Sequence, residues 1–329
     1  MICYLSPSRD PAWNLALEEY FFEPTPPGET CLMLWQNHNT VVIGKNQNTM
    51  AEIDNEYVHS CGIRVVRRLS GGGAVYHDDG NLNFTFITDA PEGGLIDLHR
   101  FCQPVAEALR SFGVPVEIGG RNDMTVEGKK FSGNAQYIRR GRVMHHGTLM
   151  FDSDLTVLQK ALRVDREKIA SKGILSVASR VTNLRPWFPE NVTMEQFARR
   201  LMEAISGQEN PPMRELSRED MEAIRHLKET RYDTWEWNYG RSPVCTVTNS
   251  RRIEGCGRIR LELRLEEGRI RDLRITGDFF GNRDVEELAG ILEGCAFRRE
   301  AVLERLSGAK LEEYIHNVTA EDLIGLLMA

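Results

Sequence analysis

Arg67-Arg68-Leu69-Ser70-Gly71-Gly72-Gly73-Ala74-Val75-Tyr76-His77 is the stretch around which the chain is organised. An apolar run, Ile63 to Val66, leads into two arginines and three glycines. The turn signal Asp78-Asp79-Gly80-Asn81 and a second apolar run, Leu82 to Ile87, come next. The order predicts strand, glycine loop, strand, turn, strand. Three glycines strip the backbone of side chains where it can approach a ligand, and they permit positive φ. Two familiar motifs are excluded. A P-loop needs Gly-Lys-Ser/Thr opening a helix, and no lysine follows here. A dinucleotide fingerprint needs a helix after the glycines, whereas the downstream residues alternate as a strand does. A glycine-rich hairpin without a ligand is the simpler alternative. The paired arginines, and His77 at the far lip, argue against it, because such groups handle anions beside bare amides.

Outward from this stretch, 329 residues suggest two domains, or one with an appendix. Lys plus Arg number 41 against 48 for Asp plus Glu, a net charge of -7. That balance argues against non-specific nucleic-acid binding and a polybasic membrane anchor. Seven cysteines are scattered without a CxxC pair, which disfavours a zinc cluster and suggests reduced thiols in a cytoplasm. The N-terminus lacks the pattern of a signal peptide, and no apolar run approaches a membrane span.

Upstream, residues 2–5 suit a short strand, and Asp10-Pro11 a helix start. Trp13, Ala16, Leu17, Tyr20 and Phe21 recur at helical spacing, with Glu18 and Glu19 expected on a wet face. Cys31 to Trp35 and Thr40 to Ile43 suit strands, and Ile53 to Ser60 a helix. Downstream, Leu95 to Phe112 predicts a helix that Pro104 kinks or delays. Short strands follow at Val114 to Ile118, Met124 to Val126, Lys130 onward and Val143 to Phe151, joined by tight turns. Such joins favour an antiparallel or mixed sheet over a doubly wound parallel one. Thr193-Met194-Glu195-Gln196 and Ser217 to Asp220 are capping boxes. Trp235, Trp237 and Tyr239 alternate, which suits a buried strand or a docking segment. Lys172 to Leu184 suits a loop. A boundary is expected near Gly240 to Pro243. Beyond it, Ile259, Leu261, Leu263 and Leu265 alternate with charges, and three amphipathic helices follow.

Several patches taken together resemble one family, the lipoate-protein ligases. They are Arg67 to His77 with Gly80-Asn81; Gly120-Arg121-Asn122-Asp123 ahead of Lys130-Phe131-Ser132-Gly133-Asn134-Ala135; His145-His146-Gly147-Thr148; and Ser176 to Leu184. Trp35, Val41 to Asn48 and Trp235-Glu236-Trp237 add to the match, which runs over essentially the whole chain.

The resemblance implies an α+β fold: the mixed or antiparallel sheet of the biotin/lipoate ligase catalytic domain, related to class II synthetases, over residues 1–242. A small α+β accessory domain would occupy 243–329. It implies two steps. Lipoate and ATP, with Mg²⁺, give lipoyl-AMP; the lysine of a lipoyl-carrier domain then takes the acyl group. The carriers implied are acyltransferase subunits of 2-oxo-acid dehydrogenases or the glycine-cleavage H protein. The chain is expected to act as a cytoplasmic monomer.

Attack on the α-phosphate develops negative charge, so fixed cations and amides are needed there. Lys130 matches the family's catalytic lysine. Asp123 would order Lys130 or bind Mg²⁺, beside Asn122 on the nucleotide side. Arg68, Ser70, Gly71, Gly72, Gly73 and Ala74 would line the lipoate carboxylate and adenylate phosphate, with Tyr76, His77 and Asn81 further along. His146 and Thr148 would line the acyl channel, with Gly147 letting the tail pass. The segment carrying Ser179 and Arg180 would close over the adenylate and exclude water. Two alternatives remain: an octanoyl transferase of the same fold, which needs a reactive cysteine, and a non-catalytic lipoyl-domain binding module.

Overall fold

The structure, a computed structural model, describes all residues except 24, 48, 91–96, 120–122, 163–180, 240–246, 267–268, 297–298 and 328–329. Thirteen strands are described: β1 Ile2–Leu5, β2 Cys31–Trp35, β3 Thr40–Ile43, β4 Arg64–Arg67, β5 Val75–His77, β6 Asn81–Asp89, β7 Val116–Gly119, β8 Asp123–Val126, β9 Lys129–Arg139, β10 Arg142–Met150, β11 Val247–Ile253, β12 Gly257–Glu266 and β13 Arg269–Gly277.

Seven of them form one sheet in the order β1-β2-β6-β10-β9-β8-β7. Only β1 and β2 run parallel, as expected where most joins are short turns. All five residues of β2 are buried because both faces of the sheet are covered. Leu32 and Leu34 face the helices Leu98–Ser111 and Met194–Ser206. Cys31, Met33 and Trp35 face the helix Pro11–Phe22. That helix begins as read, with Asp10 capping Ala12 and Pro11 in the first turn. Both capping boxes form. Pro104 lies inside its helix, which starts late at the Asp97 cap.

Four readings are corrected. Glu18 is not on a wet face: it is 1% exposed. Its helix is sandwiched between the sheet and the helix Arg218–Leu227, so little of its circumference meets water. The Trp235 segment is a helical turn, Trp235–Asn238, and not a strand; Trp237 docks by donating from its indole to Arg67 O at 2.8 Å. The helix expected over Ile53 to Ser60 is shorter, Asn55–Ser60, and a separate short helix, Thr49–Glu52, precedes it. Strand β11 had no clear apolar alternation and was not foreseen; pairing with β12 forms it.

A second sheet, β4-β3-β5, carries the glycine loop. The loop joins β4 to β5, which flank β3 on opposite sides, so it must cross the end of β3. Arg68 N donates to Ile43 O at 3.0 Å, and Lys45 N to Ser70 O at 2.8 Å. A Cβ on Gly44 would lie 2.0 Å from Gly72 O, which explains the glycine there.

The C-terminal strands β11-β12-β13 form an antiparallel meander whose apolar face packs on the helices Val285–Leu292, Arg299–Leu306 and Ala320–Leu327. Among the described residues it meets the rest of the chain at the glycine loop, at the loop after β3 and at Leu98 and Ala135. Gly72 N donates to Phe279 O at 3.2 Å, and Lys45 Nζ lies 3.3 Å from Asp284 Oδ2. A Cβ on Gly71 would lie 2.3 Å from Phe279 O. The triple glycine thus admits a neighbouring chain segment as well as bare amides.

Candidate active site

The two arginines that enter the loop do different work. Arg67 Nη1 donates to Gly44 O, Lys45 O and Gln47 O at 2.9, 3.1 and 2.7 Å, and Nη2 to Thr49 Oγ1 at 2.6 Å. Its Nε donates to Trp237 O at 2.9 Å. Arg67 is therefore a tie between the loop after β3 and the Trp237 turn. A lysine has one ammonium and no planar fork to serve these acceptors. Arg67→Lys is expected to cost about 3 kcal/mol, read as a lower urea midpoint with an unchanged slope.

Arg68 braces the glycines themselves. Its Nη2 donates to Gly71 O at 2.6 Å and Gly73 O at 2.8 Å, and Nε to Ser70 Oγ at 3.1 Å. Burial lowers it to about 10, with Glu18 opposing the shift, so it stays charged at neutral pH. This cation fixes the loop shape and places positive charge behind its amides. Gly73 has open space where a Cβ would be, and Ala74 is half-buried.

At the loop's far lip, His77 is 3% exposed, and its Nδ1 meets Asn37 Nδ2 at 3.1 Å. Its Nε2 has no hydrogen-bond partner, nor does the Oδ1 of buried Asn81. Two buried polar atoms without partners near one loop are where a ligand or water belongs. Tyr76 is turned away: its ring packs with Val41 and Ile43, and its hydroxyl donates to Asn39 Oδ1 at 3.0 Å. The expectation that Tyr76 lines the site is corrected to a core role, because β5 alternates and His77 takes the other face.

Burial first, then Arg68 and His146, lowers His77 from its ordinary 6.5 to about 3. Between those values the unfolded chain binds the proton and the folded one does not. Stability from this group is thus present above pH 6.5 and falls as pH drops toward 3. Over that window, His77→Gln is expected to flatten the stability profile by about 1.4 kcal/mol per pH unit. Urea titrations of both proteins at several pH values measure this.

His145 and His146 are neighbours with opposite surroundings. His145 is stacked 5.1 Å from Phe101 and 5.9 Å from Phe84, and burial holds its pKa well below the usual histidine range. It is a core residue. His146 faces the loop: its Nε2 lies 2.5 Å from Ser70 Oγ and its Nδ1 2.9 Å from Glu18 Oε1. Gly147 does not open a channel. A Cβ there would lie 2.2 Å from Asn134 Oδ1 and 2.5 Å from Phe84 Cζ, so the glycine makes room for those side chains. Thr148 Oγ1 accepts from Gly133 N at 3.1 Å.

Lys130 lies on β9 with its side chain 36% exposed, and its Nζ is 2.6 Å from Asp123 Oδ1. A Cβ on Gly133 would lie 3.1 Å from that Nζ, so the lysine folds back across the glycine. Phe131 is in the core as alternation requires, and Lys129 is exposed. Strict alternation then fails, because the β8–β9 register shifts between Met124 and Thr125, and Ser132 is buried. Further along β9, Ala135 packs with Leu98 and Phe280. The Phe280 ring also lies 3.2 Å from the Cβ position of Gly72, so one residue touches both β9 and the glycine loop. Asn122, Ser179 and Arg180 lie outside the described residues. Among the described residues, no three His, Cys, Asp or Glu side chains gather to hold a metal. Phe280 thus links the strand that carries the Lys130 ammonium to the glycine loop, and Glu18 is the residue that sequence reasoning missed.

Residues 10–206 match the profile of the lipoyl protein ligase A/B catalytic domain, and residues 242–327 that of the bacterial lipoate protein ligase C-terminus. The chain is 44% identical over 322 residues to lipoate-protein ligase LplJ of Bacillus subtilis, covering 97% of each chain. It is 40% identical to lipoate–protein ligase 1 of Staphylococcus aureus, again over 97% of each. Among solved structures, a lipoate-bound LipL1 of P. falciparum is similar with a TM-score of 0.79 at 23% identity, covering 100% and 99%. A lipoate-protein ligase A bound with ATP gives a TM-score of 0.62 at 25% identity, over 73% of this chain and 99% of that one. A chain from the structural analysis of an archaeal lipoylation system, a bipartite lipoate protein ligase and its E2 lipoyl domain from Thermoplasma acidophilum, gives 0.63 at 28%, over 75% and 98%.

Proposed function

We propose, from the premise that this chain belongs to the lipoate-protein ligase family, that it condenses lipoate with ATP to lipoyl-AMP and passes the lipoyl group to the lysine of a lipoyl-carrier domain. Residues 1–242 would carry the chemistry and 243–329 the accessory domain.

The observation that carries the reading is the Lys130 ammonium, held by Asp123 across Gly133 on the strand that shares Phe280 with the glycine loop. As lipoate attacks the α-phosphate, charge grows on the phosphoryl oxygens and the leaving pyrophosphate. Lys130 would meet that charge from one wall and the loop amides from the other. Arg68 would supply background charge and Ser70 a polar contact beside the acyl carboxylate, with His77 Nε2 and Asn81 Oδ1 free to take ligand contacts. Thr148 and His146 would border the acyl group, and Asn122, Ser179 and Arg180 remain proposed from motif resemblance. Asp123 offers one hard oxygen, which fits a Mg²⁺ carried in on nucleotide phosphates better than a resident ion. Such an ion would neutralise phosphate charge.

The acceptors proposed are acyltransferase lipoyl domains or the glycine-cleavage H protein. A cytoplasmic setting accords with six described cysteines, none of them in a disulfide, and no described helix is long and apolar enough to cross a membrane. A cysteine-dependent transferase is disfavoured: Cys102 is buried, and burial pushes its thiol up to about 12, away from the reactive thiolate. Purified protein supplied with ATP, Mg²⁺, lipoate and a lipoyl domain tests the proposal. The expected result is pyrophosphate release and a lipoyl mass gain on the carrier, both dependent on ATP. Carrier binding without either would favour the non-catalytic alternative.

A further inference from the structure

We infer that Ser70, His146 and Glu18 form a proton-accepting line that serves the second half of the reaction, the attack of the carrier lysine on the acyl adenylate. The inference rests on the reading that sets the acyl carbonyl beside Arg68 and Ser70. Three separate elements converge to make the line. Glu18 comes from the helix Pro11–Phe22, His146 from β10 and Ser70 from the glycine loop. Their exposures are 1%, 7% and 1%.

The hydrogen bonds have one consistent direction. Trp35 Nε1 donates to Thr85 Oγ1 at 2.9 Å, so the Thr85 hydroxyl donates to Glu18 Oε1 at 2.5 Å. A carboxylate only accepts, so His146, 2.9 Å away, carries its proton on Nδ1 and offers a lone pair at Nε2. The Ser70 hydroxyl, 2.5 Å from that nitrogen, donates to it, while Arg68 Nε donates to Ser70 Oγ at 3.1 Å. Every bond points toward Glu18. A hydroxyl backed by an imidazole and a buried carboxylate is an arrangement suited to moving a proton. The charged and titratable groups around His146 are Glu18, Arg68, His77 and His145.

The two half-reactions differ in what they need. In adenylation the nucleophile is a carboxylate oxygen, which has no proton to lose. In transfer the amine nitrogen forms a C–N bond, the C–O bond to phosphate breaks, and AMP leaves with that electron pair. The carrier lysine arrives as an ammonium, so its nitrogen loses one proton before it attacks and a second, to solvent, once the C–N bond has formed. Ser70 Oγ accepts the first while passing its own proton to His146 Nε2, and Glu18 holds the resulting imidazolium until solvent takes the proton. Ser70 is the group that touches substrate; His146 and Glu18 act through it as positioning residues.

The test separates the halves in the full-length protein. Lipoate-dependent exchange of pyrophosphate into ATP reports adenylation, and single-turnover transfer from bound lipoyl-AMP reports aminolysis. The acceptor is either the carrier lysine or hydroxylamine, a weakly basic amine that arrives unprotonated. In Glu18→Gln the side-chain amide can donate to His146 Nδ1, which reverses the line. Transfer to lysine is expected to fall roughly a hundredfold, at least about tenfold further than exchange, with trapping by hydroxylamine much less affected. Glu18→Asp, which keeps the carboxylate, should recover part of the loss. Equal losses in exchange and transfer, or equal losses for lysine and hydroxylamine, would mean a packing role and overturn the inference, as would undiminished transfer. Absence of exchange in the unmutated protein would instead remove the ligase reading on which it rests.

Discussion

Protein carrying Lys130→Ala is expected to fold normally and to form lipoyl-adenylate at least about a hundredfold more slowly, roughly 3 kcal/mol of lost transition-state stabilisation. The two halves of that expectation have separate grounds. The Lys130 side chain is 36% exposed and its ion pair with Asp123 is half-exposed too, so removing it costs little stability. Its backbone is what the strand uses: Thr182 N donates to Lys130 O at 2.9 Å, and alanine keeps that bond. The catalytic loss follows from position. The ammonium is already fixed by Asp123 and Gly133, so it needs no reorganisation when charge develops on the phosphate. Lys130→Arg keeps the charge, but a larger planar head must then sit over Gly133, and only partial recovery is expected. Pyrophosphate exchange measured with thermal unfolding on the same samples decides the matter. Undiminished exchange in the alanine variant would take Lys130 out of its proposed role.

The second large effect is on stability. Gly147→Ala is expected to destabilise the protein by about 3 kcal/mol, seen as a fall in thermal midpoint. Residue 147 pairs with Phe84 on one side and Asn134 on the other, at the middle of the large sheet. The new methyl would meet Asn134 Oδ1 at 2.2 Å and the Phe84 ring at 2.5 Å, distances at which something must move. Phe84 is 0% exposed and Asn134 3%, so neither can swing into solvent. Relief should come from the partner: Phe84→Leu in the Gly147→Ala background is expected to restore part of the loss. A purely additive double variant would place the strain elsewhere.

Much of the site was legible before any tertiary contact was known. The strand–loop–strand reading of Arg67 to His77, the Asp10 cap, both capping boxes and the core position of Phe131 follow from local periodicity and turn chemistry, which each segment carries by itself. Arg67 and Arg68 were legible as anion-handling types. Their actual assignments were not, because a guanidinium's acceptors come from β3, the Trp237 turn and the glycines, far apart in sequence. Tyr76 and Gly147 were misassigned for a similar reason: a glycine open to a ligand and a glycine filled by a neighbour's ring look alike in one dimension.

By itself, then, the sequence determined the class of fold, the mixed sheet with its appended domain, and the motif constellation that marks a lipoate-protein ligase, since these rest on spacing along the chain. Only the tertiary structure decided that Glu18 is buried against His146, that Phe279 and Phe280 lie against the glycine loop, and that Gly147 serves packing. Helical spacing tells which residues share a face. It does not tell how many faces are covered, and a helix held between a sheet and a second helix buries a carboxylate that the same spacing would leave in water on an open surface.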